Sequence, residues 1–271
     1  MKLAVSSLAW EPADDIAVRA LLVEWAVRAI ELAPLKYWPS ALDASASALA
    51  EYRAAWADAG ISIVALQGIL FGKPDLQLFG SEVQRRALEE HLAGIAQVAE
   101  GLGASVVVLG APGNRLRGSL TEDEAIESAI PVLRRLAAQY DSRGCALCIE
   151  AAPPAYGGDF ARNLAEVSRL VEAVGHRGFG LHLDSGAIAI ADEPQAEVVR
   201  AARQARHFHV SEMDLAAVGT TDSVPHGQLG ATLRALGYEG WLSIEMRGSD
   251  DDRWHDQLQR AIAVARTHYG D

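Results

Sequence analysis

Cysteine is almost missing from this chain: 271 residues hold two, Cys145 and Cys148, in a single C-x-x-C. Without a second pair there is no zinc ribbon. The motif also lies inside an apolar, strand-like run, whereas a thioredoxin-type redox site sits at a helix start. In a strand, positions i and i+3 point to opposite faces, so the two thiols are read as free and structural, as suits a cytoplasmic protein. Positive charge is scarce too, with 24 Lys and Arg against 36 Asp and Glu and a formal charge of −12. Nucleic acid and anionic membrane are poor partners for such a surface, because phosphate contacts demand cations. No apolar run reaches the ~18 residues of a membrane span. The opening "MKLAVSSLAW" lacks the long apolar region of a signal peptide and reads as a first strand. That strand is followed by "SLAWEPADD", without the glycine-rich phosphate turn of a dinucleotide-binding open sheet. No Pro/Ser-rich linker or low-complexity segment marks a boundary, so residues 1–271 are expected to form a single domain.

What the chain does have is alternation. Half of its residues are apolar, and many fall in eight short runs, at 2–7, 29–34, 61–67, 104–112, 145–151, 179–186, 205–212 and 241–248. The runs are rich in Val, Ile and Leu and show no clean polar alternation, as expected of parallel strands covered on both faces. Amphipathic stretches separate them. "SEVQRRALEEHLAGIAQVAEGLG" runs from a Ser N-cap to a Gly stop, and "TEDEAIESAIPVLRRLAAQYDSRG" repeats the grammar with a Thr cap, early acids and a final Gly. Pro131 is expected to kink or break the second of these helices. Eight strand–helix units in a chain close to the typical ~250 residues predict an α/β fold, the (β/α)8 TIM barrel.

In such a barrel the reactive side chains project from the C-terminal ends of the strands. The fifth run ends at Glu150, the sixth at Asp184, the seventh at His209 and the eighth at Glu245. Three acids converging in an apolar funnel would resist ionisation, and a divalent cation removes that conflict. Three carboxylates and one imidazole are mostly hard ligands, so the expected ion is Mn2+, with Mg2+ or Co2+ as alternatives.

On these residues the chain resembles the xylose isomerase-like TIM barrels, in the branch of sugar phosphate isomerases and epimerases that includes ketose 3-epimerases, hydroxypyruvate isomerases and inosose dehydratases. The resemblance spans nearly the whole chain and is strongest in "CALCIEAAPP", "FGLHLDSG", "RHFHVSE" and "GYEGWLSIEM". It implies metal ligation by Glu150, Asp184, His209 and Glu245, with Glu150 and Glu245 as the catalytic acid–base pair. It also implies proton transfer next to the carbonyl of a small sugar or sugar-derived substrate, through an enediolate. Three positions depart from the pattern. Ala187 stands where sugar epimerases carry a His, the "SEMDLAAVG" stretch lacks an Arg, and Tyr156 replaces an acid. These departures touch substrate contacts, so a substrate with an apolar or anionic part is expected rather than a simple ketose.

Around this set, several residues are candidates for substrate binding: His182 on the inward face below Asp184, Arg247 two residues beyond Glu245, Gln67 at the end of the third strand, Arg115 in "GAPGNR", and His226 in the last long loop. Trp10 and Trp38, with Tyr37 and Phe71, are placed to stack on a sugar at the barrel mouth. His207, deeper than His209, is read as structural. The same metal site would also serve a dehydratase or lyase. A non-catalytic sugar-binding barrel and an apurinic endonuclease-like nuclease are the other readings, the last opposed by the charge and the single ligand set. A homo-oligomer is compatible with all of them.

Overall fold

Strands that are apolar on both faces need cover on both, and a sheet that closes on itself leaves no edge exposed. The computed structural model, which describes residues 1–40, 43–248 and 254–270, takes this solution. Its eight strands are β1 (Lys2–Ser6), β2 (Ala29–Leu32), β3 (Ser62–Leu66), β4 (Val106–Leu109), β5 (Ala146–Ile149), β6 (Phe179–Asp184), β7 (Ala205–Ser211) and β8 (Trp241–Glu245). They pair in parallel in chain order, and β8 returns to β1 to close the barrel. Each expected run contains its strand.

The helices around the barrel are α1 (Asp15–Glu24), α2 (Ala46–Ala57), α3 (Glu82–Leu102), α4 (Glu122–Ser142), α5 (Leu164–Val174), α6 (Ser185–Ile190), α7 (Gln195–Ala202), α8 (His226–Ala235) and α9 (Trp254–Tyr269). Their ends follow the sequence signals. Ser81 and Thr121 each form a capping box, with Gln84 and Glu124, and Gly103 ends α3 with a φ of 80° that a side chain would resist. Pro131 does not break α4, which runs continuously from Glu122 to Ser142. The proline is exposed, as is Glu127 one turn before it, so the carbonyl left without an N–H partner faces water. The buried stripe of Ala125, Ala129, Val132, Leu133 and Leu136 holds the helix through that point. No helix among the described residues is long and apolar enough to cross a membrane.

The barrel interior is divided. Small apolar side chains, Ala4, Ala29, Val64, Val106, Val108, Ala146 and Cys148, form a core cluster separate from the larger one between sheet and helices. The other side holds Glu31, His182, His207, His209 and Ser243, all at most 1% exposed. Cys145 belongs to the outer core and Cys148 to the inner one, as the alternation of a strand requires.

Both cysteines are free and buried, and burial pushes the thiols up, to about 11 for Cys145 and about 12 for Cys148. Since the thiolate is the reactive form, the native protein should show almost no reaction with an aromatic disulfide reagent at pH 8. Both thiols should react at once in denaturant. A fast native-state reaction of either one would contradict the packing described here.

Candidate functional site

Four strand ends carry the reactive set. Asp184 and Glu245 are the last residues of β6 and β8, Glu150 follows β5 directly, and His209 lies two residues before the end of β7. His209 Nδ1 is 3.1 Å from Glu245 Oε2 and 3.9 Å from Asp184 Oδ2. One donor atom from each of these three residues lies within 4.8 Å of the others. Glu150, from the neighbouring strand, lies outside this three-residue group, although it is near enough to feel the charges of Asp184 and Glu245. Its carboxylate lies over Gly110 at the end of β4, where a Cβ would stand 2.7 Å from Glu150 Oε2. A glycine is therefore required for the acid to occupy that place.

Asp184 is held on both oxygens. Its Oδ1 accepts from Ala187 N–H at 2.6 Å and so caps α6, and its Oδ2 accepts from the Ser211 hydroxyl at 2.5 Å. The positive end of a short helix thus meets an acid of the site. Arg115 works from behind Glu150. It donates Nε to Gly110 O at 2.9 Å and Nη2 to Glu150 O at 2.6 Å, tying the ends of β4 and β5 together.

The most buried contact of the site involves a residue with no place in the sequence reading. Glu31, on β2, accepts from His209 Nε2 at 2.9 Å and from His207 Nε2 at 3.1 Å. Strands β2 and β7 are not neighbours in the barrel, so these bonds cross its interior. Burial alone would raise the Glu31 carboxyl, but His209 and His207 outweigh it and hold it well below the usual range. Burial likewise opposes the His209 imidazolium, and Glu31 and Glu245 overcome it, raising His209 well above its ordinary value. With Nε2 committed to Glu31, Nδ1 is the nitrogen turned to Asp184 and Glu245. Glu31 sits in "AIELAP", and an acid within a fully buried strand is the signal that could have singled it out.

Burial, then the charges of Asp184 and Glu245, push Glu150 well above the carboxylate range. Burial and Glu245 raise Asp184 to about 6. Acids under such pressure, facing an imidazole nitrogen that no hydrogen bond engages, are a donor set that a divalent cation fits. The cation would relieve the repulsion.

Two cavities open beside these acids, one of about 510 Å3 and one of about 400 Å3, and both are lined by Gly110, Ala111, Glu150 and Glu245. Gln67 lines the first, although its amide already donates to Ser6 Oγ. Arg115 and Arg247 line the second. Arg115 is buried, and burial lowers it to about 10, whereas Arg247 is exposed.

Other expected site residues have different tasks. Trp10 and Trp38 line neither cavity. They pack with Tyr37, Tyr52 and Trp56 around Asp15, whose carboxylate accepts from Trp10 Nε1 at 2.8 Å, Tyr37 OH at 2.9 Å and Tyr52 OH at 2.9 Å. Three donors on one carboxylate hold Trp10, Tyr37 and Tyr52 together, with Trp10 buried and Tyr37, Trp38 and Tyr52 partly buried against the core. His226 is neither on the surface nor in a cavity. It is buried between Tyr269, 2.8 Å from Nδ1, and Glu212, 3.4 Å from Nε2. His182 is fully buried, with its ring 4.1 Å from that of His209 and no hydrogen bond among the described residues. It supports the imidazole from beneath.

A family model described as "Xylose isomerase-like TIM barrel" matches residues 20–268. The chain belongs to that family. No curated relative matches it by sequence. Among solved structures it is similar to D-psicose 3-epimerase from Clostridium cellulolyticum H10, crystallised with D-tagatose, at 16% identity over 100% of both chains and a TM-score of 0.81. It is also similar to YcjR, the 3-keto-D-glucoside 4-epimerase of E. coli, at 17% identity over 97% of this chain and 99% of that one, with a TM-score of 0.78. A third is the IolI protein with a bound zinc atom, at 17% identity over 100% of both chains and a TM-score of 0.77. At these identities the likeness is one of fold.

Glu31→Gln tests the cross-barrel contact. The amide keeps the shape, loses the charge, and turns an NH2 toward one imidazole. Loss of a charged hydrogen bond predicts about 1.5–3 kcal/mol less stability in urea unfolding. A change under ~0.5 kcal/mol would show that Glu31 does not hold the two histidines.

Proposed function

We propose that this protein is a divalent-metal-dependent sugar isomerase or epimerase that transfers a proton next to a carbonyl through an enediolate. The observation that carries the reading is the placement of two glutamates, Glu150 from β5 and Glu245 from β8, on the walls of both cavities, with Asp184 and His209 between them in the barrel order. Two acids that flank one reaction space can remove a carbon-bound proton on one side and return it on the other. Burial and like charge push Glu150 above the ordinary range, a pressure that a bound cation would offset. The sugar chemistry named for the D-psicose and 3-keto-D-glucoside epimerases of the same fold supports the substrate class.

Glu150, Asp184, His209 and Glu245 are the residues that would hold the cation, Mn2+ by ligand hardness, and the zinc of IolI supports a divalent ion on this scaffold. When bound, it supplies Lewis-acid polarisation of a carbonyl and offsets the charge of the acids. The chain does the rest. Glu31 fixes which imidazole nitrogen faces the site, Ser211 and the start of α6 orient Asp184, and Arg115 fixes the backbone at Glu150. Return of the proton to the opposite face of the same carbon gives an epimerase, and return to the adjacent carbon an isomerase. Departure of a β-leaving group would instead give a lyase from the same two acids.

Elemental analysis should find about one divalent ion per chain, and Asp184→Asn should weaken metal affinity by more than ~100-fold, measured by calorimetry. Full metal content in that variant would remove Asp184 from the ligand set.

At saturating metal, Glu150→Gln and Glu245→Gln should each lower kcat by roughly 10²–10⁴-fold, because an amide cannot take up the proton. Incubation of the wild type with ketoses and oxidised sugars in D2O, followed by NMR, should show deuterium entering the carbon next to the carbonyl. No exchange with any sugar would leave a binding protein rather than an isomerase.

A further inference from the structure

The two cavities differ in what they offer a substrate. The smaller, polar lobe presents the acids together with Tyr156, whose hydroxyl accepts from Asp214 N–H and keeps its own proton to donate. It also presents Arg247, whose guanidinium has no hydrogen bond or ion pair among the described residues. These are the free donors and acceptors that a polyol requires.

The larger lobe has polar side chains in its wall besides the acids, and the fold engages each of them in part. Gln67 donates to Ser6, and Lys73 Nζ donates to Pro39 O at 3.0 Å. Asn114 spends both amide protons on Lys73 O and Leu76 O, each at 2.7 Å, while its backbone carbonyl accepts from Leu78 N–H at 2.9 Å. Away from Glu150 and Glu245, the side chains of this wall are largely apolar: Leu8, Ile69, Leu70, Val108 and, above all, Phe71. The Phe71 side chain is 84% exposed in a loop otherwise pinned at both ends. A sugar placed against that wall would find few partners for its hydroxyls, at a cost for each one left unpaired. An apolar group would not. The lobe opens directly on Glu150 and Glu245, so whatever fills it is joined to the reacting carbons.

We propose that the substrate is a glycoside-like sugar with an apolar aglycone. Its oxidised sugar ring occupies the polar lobe beside Asp184, Glu150 and Glu245, and the aglycone lies against Phe71 in the larger lobe. This rests on the isomerase reading for the chemistry, but the division of the cleft is independent of it.

The test compares three substrates in D2O exchange and turnover: a free ketohexose, a methyl glycoside of an oxidised hexose, and the phenyl glycoside of the same sugar. The phenyl compound should have kcat/KM at least tenfold above both others. Phe71→Ala should remove most of that advantage through KM, with a several-fold smaller effect on the methyl compound. Equal rates for the free ketohexose and the phenyl glycoside would overturn the proposal, as would a Phe71→Ala loss that is the same for all three. Sedimentation of wild type and Phe71→Ala guards against another occupant, since dissociation of a dimer by the substitution would assign Phe71 to a second copy of the chain and overturn the proposal too. Calorimetric binding of unreactive phenyl glucoside separates the two ideas. Phe71-dependent binding without any proton exchange would defeat the isomerase reading and support the lobe assignment. Exchange confined to free ketohexoses would do the reverse.

Discussion

The site depends on one carboxylate reaching across the barrel. Glu31 of β2 holds Nε2 of both His207 and His209 of β7. An imidazole has two nitrogens, and the partner of one decides what the other can do. Because His209 Nε2 is taken, its Nδ1 faces Asp184 and Glu245. Glu31 itself is tolerable in a water-free interior only because two imidazoles share its charge. Remove that sharing and a buried acid stands alone. The contact is therefore a condition of folding and a condition of the site at once, which ties the ends of β7 and β8 to a strand on the far side of the barrel.

The divided interior follows from this. If polar groups must meet across the barrel, the remaining strands have to fill space without offering further partners. Ala4, Ala29, Val64, Val106, Val108, Ala146 and Cys148 do so with small side chains. The polar half then leads upward through His182, His207 and His209 to the acids. The reactive groups are thus anchored on strands, with only loop walls left to vary. This is the arrangement that lets one barrel serve many substrates.

Much of this could be read from the sequence, for identifiable reasons. The strands were legible because burial on both faces leaves unbroken apolar runs, and the longer helices because caps and glycine stops are local. The strand-end set was legible because Glu150, Asp184, His209 and Glu245 recur at the same place in successive units, and the structure brings donor atoms of the last three within 4.8 Å of one another. The contacts that were hidden are long-range ones. Glu31 and His209 are 178 residues apart, and no local pattern links them. Trp10 and Trp38 look like rim aromatics until Asp15 is seen to gather Trp10 together with Tyr37 and Tyr52, the rings against which Trp38 packs. Arg115 lines the smaller cavity, but its bonds to Gly110 O and Glu150 O, like those of Asn114 to the loop after β3, join backbone segments that only the fold brings together.

That last distinction explains how the cleft acquires its chemistry. A polar side chain near a cavity offers nothing to a ligand once its donors are spent on the protein. Asn114 has committed both amide protons in this way, and Gln67 and Lys73 one N–H each, so the wall offers fewer donors than its residue types suggest. On the other side Glu212, an acid that could have crowded the site further, is occupied by Gly219, Thr221 and His226. It serves to hold the loop after β7 in place. Asp214 and Leu215 in that loop take positive φ values of 58° and 57°, a conformation such residues adopt only when their surroundings impose it. There the Leu215 carbonyl accepts from Arg247 N–H at 2.9 Å. The loop thus braces the backbone of Arg247 and leaves its guanidinium free. On this side of Glu150 and Glu245 the groups the fold leaves unused are the Arg247 guanidinium, Arg115 Nη1 and the Tyr156 hydroxyl proton, and these are what the smaller cavity can offer a ligand.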